Sequence, residues 1–300
     1  MELRQLEYFV RVAELRNFTR AAEQLHVAQP SLSQQIRALE REVGTALFER
    51  TSRSVRLTAA GASLLPYARR ALAAVDDARQ EIAEQVAAPS GVVRLGTTPT
   101  VAIHLLPSWL GSFIQEYPAI EVRLFEGGAV ALEGDLVSGA IDLAVVTLPA
   151  HRASLQVRTI VEEELLLGVA PEHRFATRDA VGLDEAAGEP FVLYREGYGL
   201  RESVLSACHQ AGFRPRVVLD GGETETVLRL CAAGLGVTLV PRLALDGSPD
   251  RPVGVRLHPP APRRTLALAW RDDRYLSRAA RVLRDHLLER WSDSAGADPS

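Results

Sequence analysis

Residues 17–58 read NFTRAAEQLHVAQPSLSQQIRALEREVGTALFERTSRSVRLT, and this stretch decides the fold of the first part of the chain. Apolar residues from Phe18 to Leu25 recur at helical intervals and predict a short helix. After a tight break, Pro30 stands where a helix best tolerates proline, in its first turn, and Gly44 is a typical left-handed C-cap. The buried stripe of this second helix is predicted to be Leu32, Ile36, Leu39 and Val43.

The opposite face of the second helix carries small polar, amide and guanidinium side chains, which suit a helix that lies in a DNA major groove. The segment after it predicts a strand, a turn and a strand, with Arg53 at the tip. A narrow minor groove concentrates negative potential and favours arginine there, although a plain exposed arginine is the alternative. The predicted DNA-binding residues of this winged helix-turn-helix are Gln29, Pro30, Ser31, Ser33, Gln34, Arg37, Arg50 and Arg53.

A helix over residues 2–15 is expected to close the core of this domain, with an apolar face of Leu3, Leu6, Tyr8, Phe9, Val12 and Ala13. The whole region resembles the DNA-binding domain of LysR-type transcriptional regulators. The matching residues are Leu3, Leu6, Phe9, Val12, Phe18, Thr19, Ala21, Ala22, residues 29–33, Ile36, Leu39, Glu40, Gly44, Leu47, Phe48, Arg50, Leu57 and Thr58.

Charge is distributed unevenly along the chain. The 300 residues have a formal net charge of −4, whereas residues 1–60 hold nine arginines and seven glutamates, a net charge of +2. This distribution argues against nucleic-acid binding along the whole chain. All 34 basic residues are arginine, so every phosphate contact must come from a guanidinium group or a neutral donor.

Neither a signal peptide nor an apolar run of the ~18 residues that a membrane span needs is visible. The protein is therefore expected in the cytoplasm, associated with the nucleoid when bound to DNA. Its two cysteines, Cys208 and Cys231, lie in apolar helical contexts typical of small core residues. A redox-sensing pair is the alternative.

Residues 58–87 predict a long helix that Thr58 caps and that Pro66 must kink or confine to its C-terminal side. Its apolar positions alternate spacings of three and four, as in a heptad repeat. Packing on the chain's own C-terminal domain is one way to bury them, and the family resemblance favours pairing with a second subunit. The stripe comprises Leu65, Ala68, Leu72, Val75, Ile82 and Val86 and is broken once, by Arg79.

From Gly91 onward strands and helices alternate, which predicts parallel α/β structure. The first predicted set comprises strands 92–97, 120–125 and 141–146 and helices 101–117 and 132–137. The second comprises strands 165–169, 191–194, 217–219 and 237–240 and helices 200–210 and 223–233. A strand at 265–270 is expected to return to the first lobe before a last helix at 277–291.

These elements resemble the LysR effector domain, which is related to periplasmic solute-binding proteins. The matches are residues 93–96, 105–107, Phe113, 117–118, 126–127, Gly139, 141–144, 233–237 and Pro241. The predicted architecture is an α-rich winged helix-turn-helix domain at 1–58, a linker and dimerisation helix at 59–88, and a two-lobed α/β effector-binding domain at 89–300. Lobe I is predicted at about 91–161 and 267–291, and lobe II at about 162–266.

Ligands of α/β sheets bind outside the carboxyl ends of strands, at helix N-termini. Three turns are candidates: 97–100 with Thr100 as N-cap, 126–129 where glycine admits a ligand, and 194–198 where Arg195 can hold a carboxylate. Ordinary helix caps and an exposed loop arginine are the alternatives. The family often has serine or threonine at Ala129, so one hydroxyl contact is missing. The predicted effector-binding residues are Thr98, Thr100, Gly128, Ala129, Tyr194, Arg195, Tyr198 and Thr224.

The sequence lacks several common enzyme motifs. Gly234 and Gly236 follow a helix and precede a strand, the reverse of a dinucleotide-binding turn, and no Walker loop, nucleophile elbow or HExxH motif is present. The seven histidines are scattered. We therefore expect no catalytic residue, no metal and no cofactor.

The favoured hypothesis is a ligand-responsive, sequence-specific DNA-binding regulator, acting as activator or repressor. The resemblance implies a homotetramer, a dimer of dimers, on a partly palindromic operator, with a small effector, predicted to be an organic acid, and allows a contact with RNA polymerase. Two alternatives stay open: an enzyme acting on a small metabolite with a regulatory DNA-binding domain, and a structural nucleoid protein without a ligand.

Overall fold

The computed structural model describes residues 1–50, 55–84, 89–150, 152, 154–245 and 250–294, and at 50, 80, 83, 84 and 291–294 it describes the backbone only. The chain forms two compact units. The first is Met1–Ala87 with Val137–Ala140 and Arg274–Ser277, and the second is Ala88–Leu136, Ile141–Asp273 and Arg278–Ser300. In the described part of the chain, no helix is long and apolar enough to span a bilayer.

The first unit is a winged helix-turn-helix followed by a long helix, as predicted. Its elements are α1 (Leu3–Leu15), α2 (Phe18–Gln24), α3 (Gln29–Val43), β1 (Phe48–Arg50), β2 (Val55–Leu57) and α4 (Ala59–Glu84). The strands pair antiparallel, with Phe48 opposite Leu57. The turn predicted at Thr51 and Ser52 lies outside the described residues.

Local capping explains where these helices begin and end. The Asn17 side chain accepts hydrogen bonds from the backbone N–H groups of Thr19 and Arg20, at 2.9 and 3.1 Å, and so begins α2. Gly44 ends α3 in the left-handed conformation, with φ 75°. The Thr58 hydroxyl accepts from Gly61 N–H at 3.0 Å, which confirms the predicted cap of α4.

The core of this unit is aromatic and aliphatic. The Phe48 ring lies 5.4 Å from that of Phe9 and 5.6 Å from that of Phe18, measured between centroids. Two predicted core positions are wrong, because Leu3 is 45% exposed and Val43 is 38% exposed. Both lie in the terminal turn of a helix. The apolar pattern of the sequence extends into that turn, but no neighbouring element of the described chain packs over these two residues.

Helix α4 is continuous for 26 residues, with Pro66 inside it. Ala68 is buried in the N-terminal core, and Leu65 and Leu72 pack against that core. Ile82 is on nearly the same face as Ala68, about 40° away at roughly 100° per residue, yet it is 70% exposed. The predicted stripe is thus covered at its N-terminal end only. Its last member, Val86, lies outside the described residues.

The second unit contains β3 (Gly91–Thr97), α5 (Pro99–His104), α6 (Leu106–Glu116), β4 (Ile120–Glu126), α7 (Ala129–Ser138), β5 (Leu143–Thr147), β6 (Leu155–Val169), β7 (Ala180–Val181), β8 (Pro190–Tyr194), α8 (Gly199–Gln210), β9 (Arg216–Gly222), α9 (Thr224–Ala232), β10 (Thr238–Pro241), β11 (Val253–Leu257), β12 (Arg263–Arg271) and α10 (Arg278–Ser294). The large sheet has the order β4-β3-β5-β12-β6-β11-β7, with β10 also on β6, and β8 pairs with β9.

Strand β12 pairs antiparallel with both β5 and β6, so the predicted return to the first set of strands is confirmed. Its register on β6 shifts between Leu266 and Ala267, the position of the predicted lobe boundary. The boundaries of domains and lobes stay predictions.

Two parts of the predicted secondary structure are wrong. The helix predicted at 101–117 is two helices, because Pro107 lacks the N–H that would continue the ladder across the break at Leu105. The strand predicted at 165–169 begins at Leu155, and β10 and β11 pair with it antiparallel rather than in a parallel set. Charged residues in β6 hide its pattern, since Glu163 and Glu164 form ion pairs with arginines of β12.

Candidate functional site

The exposed face of α3 presents most of the residues predicted to read DNA. Gln29, Pro30, Ser31, Gln34 and Arg37 are all exposed. The helix is fixed from behind by its buried stripe and by a 3.3 Å hydrogen bond from Gln5 Nε2 of α1 to Gln35 Oε1. This arrangement leaves amide, hydroxyl and guanidinium groups free to meet base edges and phosphates.

The prediction for Ser33 is wrong. This residue was predicted to face outward, but it is only 9% exposed. On a helical wheel Ser33 lies about 60° from Ile36, at the flank of the buried stripe rather than on the open face. Its small side chain fits against the core.

The C-terminal half of α3 adds residues that the predicted site lacked. An open groove of about 800 Å³ is lined by Gln34, Arg37, Glu40, Arg41, Gly44, Thr45 and Ala46. Glu40 Oε1 accepts from the N–H groups of Leu47 and Phe48, at 3.0 and 3.3 Å, and so fixes the start of the hairpin against the helix. Arg41 follows Arg37 by four residues on the same exposed face, so helical spacing was the signal for it.

The two hairpin arginines predicted to bind DNA, Arg50 and Arg53, are not described as side chains. The backbone of Arg50 ends β1, whereas its side chain and the whole of Arg53 lie outside what the structure describes. Their roles in DNA binding stay predictions. Arg56 in β2 is exposed.

The first effector turn has a cap different from the predicted one. Thr98, not Thr100, is the N-cap residue of α5. Thr98 is 7% exposed, and its hydroxyl has no hydrogen-bond partner among the described residues. Thr100 is 2% exposed. The turn therefore carries a buried hydroxyl that the protein itself does not use for capping.

The second lobe offers a similar group. Thr224 is the first residue of α9, is 3% exposed, and its hydroxyl also lacks a partner in the described part of the chain. Buried polar groups without partners are uncommon in native proteins. Each predicted lobe thus has one such hydroxyl at a helix N-terminus, and Thr238 in β10 is a further buried hydroxyl of this kind.

Arg195 has a partner within the chain. Its Nη1 donates to Glu223 Oε1 at 2.9 Å, and the Tyr198 hydroxyl donates to Glu223 Oε2 at 2.7 Å. These donors, Tyr198 first, lower the pKa of Glu223. Burial and the bond to Glu223 raise the pKa of Tyr198 to about 12. A ligand carboxylate at Arg195 would have to compete with Glu223.

Tyr194 is a core residue, which corrects its prediction as a ligand contact. It is fully buried, and its hydroxyl donates to the Leu239 carbonyl oxygen at 2.9 Å. Burial raises the pKa of this phenol. The side chain therefore stabilises the packing of β8 on β10 rather than lining a cleft.

Gly128 and Ala129 were predicted to leave room for a ligand, and the structure corrects this as well. A Cβ at position 128 would lie 2.3 Å from the Gly197 carbonyl oxygen, so backbone from the 195–198 turn already occupies that space. Ala129 is 3% exposed. The small residues predicted to admit a ligand instead admit the opposite turn, and Tyr198 Cδ2 lies 3.5 Å from the same point.

Both units match models of known protein families. Residues 3–62 match the model "Bacterial regulatory helix-turn-helix protein, lysR family", and residues 87–292 match the model "LysR substrate binding domain".

The chain belongs to the LysR family of transcriptional regulators.

Relatives of this LysR-type regulator match along almost its whole length. The uncharacterised regulator YwbI of Bacillus subtilis is 35% identical, and the match covers 95% of each chain. OxyR of Escherichia coli is 36% identical, and the match covers 90% of each chain. A full-length OxyR variant from Pseudomonas aeruginosa has a TM-score of 0.75 at 28% identity, covering 96% of this chain and 94% of its own. CbnR, solved with its target DNA, has a TM-score of 0.70 at 25% identity, covering 98% and 100%. The chain is thus a DNA-binding regulator with an effector-binding domain.

Both cysteines of this LysR-type regulator are buried core residues. The Escherichia coli relative is named as a hydrogen peroxide-inducible genes activator. Here Cys208 and Cys231 are both fully buried, and burial raises the pKa of the thiols to about 11 and about 12. Because the thiolate is the reactive form, neither cysteine suits peroxide chemistry. Across the described ranges, no group of three or more His, Cys, Asp or Glu side chains could hold a metal.

Proposed function

We propose that this regulator binds a partly palindromic operator as a dimer of dimers and that a small polar effector, an organic acid, binds between the two lobes and alters their closure. DNA binding then responds to the effector, and by linkage operator DNA shifts effector affinity by the same factor. When bound to DNA it is nucleoid-associated, and from its operators it contacts RNA polymerase, as activator or repressor.

The observation that carries the effector proposal is the pair of buried hydroxyls without partners, at Thr98 and Thr224. An unsatisfied buried polar group typically costs about 1–3 kcal/mol, so a ligand whose polar atoms pair with these hydroxyls would recover that free energy. Each hydroxyl lies at the N-terminus of a helix, where free N–H groups favour an anion. Arg195, released from Glu223, could add a charged contact.

Replacing Thr98 with valine should weaken effector binding about tenfold while leaving folding stability unchanged or slightly higher. The effector loses one hydrogen bond, roughly 1.5 kcal/mol, whereas the free protein loses only an unsatisfied hydroxyl of the same shape. Calorimetry against a panel of organic acids identifies the ligand first, and urea unfolding of the same variant measures stability. Operator affinity is the internal control and should hold within twofold. Full effector affinity in Thr98→Val would move the site away from this turn.

Two separate exposed apolar surfaces support an assembly with two interfaces. One is the uncovered end of the α4 stripe at Ile82. The other lies on the edge strand β4, where Leu124 and Phe125 are 48% and 41% exposed. Exposed apolar edge strands are usually covered in a native assembly. Two kinds of interface are what a dimer of dimers needs.

Replacing Ile82 with aspartate should lower the assembly state by half, because it introduces an unpaired charge into the seam proposed for α4. Light scattering of the full chain measures the mass. Ala62→Asp is the matched control, since Ala62 is exposed on the same helix about 160° away around its axis. An unchanged mass for Ile82→Asp would show that α4 does not contribute to an interface.

Chromatin immunoprecipitation with sequencing tests the function as a whole. Discrete sites with dyad symmetry beside particular genes support the proposal, and a uniform distribution supports a structural nucleoid protein. Turnover of a compound in a metabolite mixture by the purified protein would support the enzyme alternative.

A further inference from the structure

Two turns of the effector-binding domain touch through their backbones. Gly128 lies between β4 and α7, and Gly197 lies between β8 and α8. A Cβ added at 128 would be 2.3 Å from the Gly197 carbonyl oxygen and 2.9 Å from its carbonyl carbon, whereas real Cβ contacts essentially never fall below 3.0 Å. Any side chain at 128 would therefore force the turns apart by at least about 0.7 Å, the difference between 3.0 and 2.3 Å.

Each turn is tied to its own strands and helices. Gly127 N–H donates to the Thr97 carbonyl at 3.1 Å, which fixes the first turn to β3. In the second turn, Arg195 N–H donates to the Gly222 carbonyl at 2.8 Å, and Gly197 has φ +86°, a conformation suited to glycine. The turns are therefore firmly held, and separating them moves the elements behind them.

A second close contact lies beside the first. A Cβ at Gly199, the first residue of α8, would be 3.0 Å from Thr147 Cβ at the end of β5. Both contacts join the end of a strand in the predicted lobe I to the turn that precedes α8. The two predicted lobes are therefore in close contact at the turns that contain Gly128 and Gly197.

We propose that Gly128 and Gly197 form a latch that defines the closed state of the lobes, and that the absence of a side chain at 128 is what allows closure. The regulatory part of this inference rests on the proposed function, in which lobe closure controls operator binding. An effector must fit on the inner side of the latch, towards Thr98 and Thr224, because the space at Gly128 is filled. A side chain at 128 holds the latch open and shifts the regulator towards its open state without any ligand.

The test compares Gly128→Ala with Gly127→Ala in the full chain, without effector or DNA. At the neighbouring Gly127 an added Cβ would meet only side-chain atoms at 3.6 Å or beyond, an ordinary contact. Hydrogen exchange of the amides at 126–129 and 195–199 is expected to be at least about tenfold faster in Gly128→Ala and unchanged in Gly127→Ala. Equal protection of both turns in the two variants would overturn the latch.

A milder substitution distinguishes opening of the turns from general unfolding of the domain. Gly199→Ala needs a shift of only a few tenths of an ångström against Thr147, so we expect a smaller rise in exchange at 195–199 with the β-sheet amides still protected. An operator footprint then tests the regulatory role separately. Faster turn exchange with an altered footprint in Gly128→Ala supports that role, and faster exchange with a wild-type footprint would overturn it while leaving the latch in place.

Discussion

Replacing Arg264 with alanine is expected to destabilise the effector-binding domain by about 3–5 kcal/mol, the usual effect of removing one partner from a buried ion pair. The Arg264 side chain is 1% exposed and that of Glu163 is 10% exposed. Arg264 Nε donates to Glu163 Oε1 at 2.7 Å, while Oε2 accepts from Leu243 N–H at 3.0 Å. Without Arg264, a carboxylate would remain buried with one backbone donor. Urea unfolding of the full chain, followed by tryptophan fluorescence, measures the loss.

The neighbouring pair is the matched control. Arg263 Nη1 lies 3.3 Å from Glu164 Oε1 on the same two strands, but their side chains are 53% and 48% exposed. Exposed pairs contribute about 1 kcal/mol or less, so Arg263→Ala should change stability little. The double variant Arg264→Met with Glu163→Leu should recover most of the loss, because an apolar pair leaves no buried charge. A similar small loss for Arg264→Ala and Arg263→Ala would contradict the prediction.

The position of this ion pair connects stability with function. Arg264 and Glu163 face each other across β12 and β6, two residues before the register shift at Leu266. As observed, β6 spans the predicted lobe boundary at 161/162, and β12 spans the one at 266/267. The ion pair therefore stabilises the pairing of these two strands next to the register shift.

Short-range signals explain what could be predicted from the sequence. Thr58 and Gly44 act through a hydrogen bond or a backbone angle within a few residues, and the structure has both in their predicted roles. Asn17 caps α2 in the same local way. Ser33 and Val43 show the limit of periodicity. A helical period tells which side is apolar, but the neighbouring elements decide how far along the helix that side is covered.

The effector residues depended on partners that are distant in sequence. The partner of Arg195 is Glu223, 28 positions away, and that of Tyr194 is the Leu239 carbonyl, 45 positions away. Gly128 contacts a turn of the other lobe. The residue types at Tyr194, Arg195 and Gly128 suggested contacts with a ligand. In the folded chain, each of the three contacts another part of the protein instead. Thr98 and Thr224 retain buried hydroxyls without a partner among the described residues.

Replacing Arg37 with alanine is expected to weaken operator binding by about 1–3 kcal/mol, roughly 5- to 150-fold, and to relax sequence preference at one or two operator positions. Arg37 is exposed at the centre of α3, and a guanidinium group can donate two parallel hydrogen bonds to a guanine edge. Affinity for operators selected from a random DNA pool, compared with shuffled DNA, measures both effects.

Two further variants separate base reading from simple charge. Arg37→Lys keeps the positive charge but loses the planar fork, so a base-reading residue should lose specificity in this variant as well. Arg41→Ala, one turn further along the same face, should instead weaken binding to all sequences alike and reduce the salt dependence by about one counterion, as a phosphate contact does. If Arg37→Ala lowered affinity equally for operator and shuffled DNA, and Arg37→Lys restored it, then Arg37 would be a phosphate contact. The bases would in that case be read from the N-terminal turn of α3, at Gln29, Ser31 and Gln34.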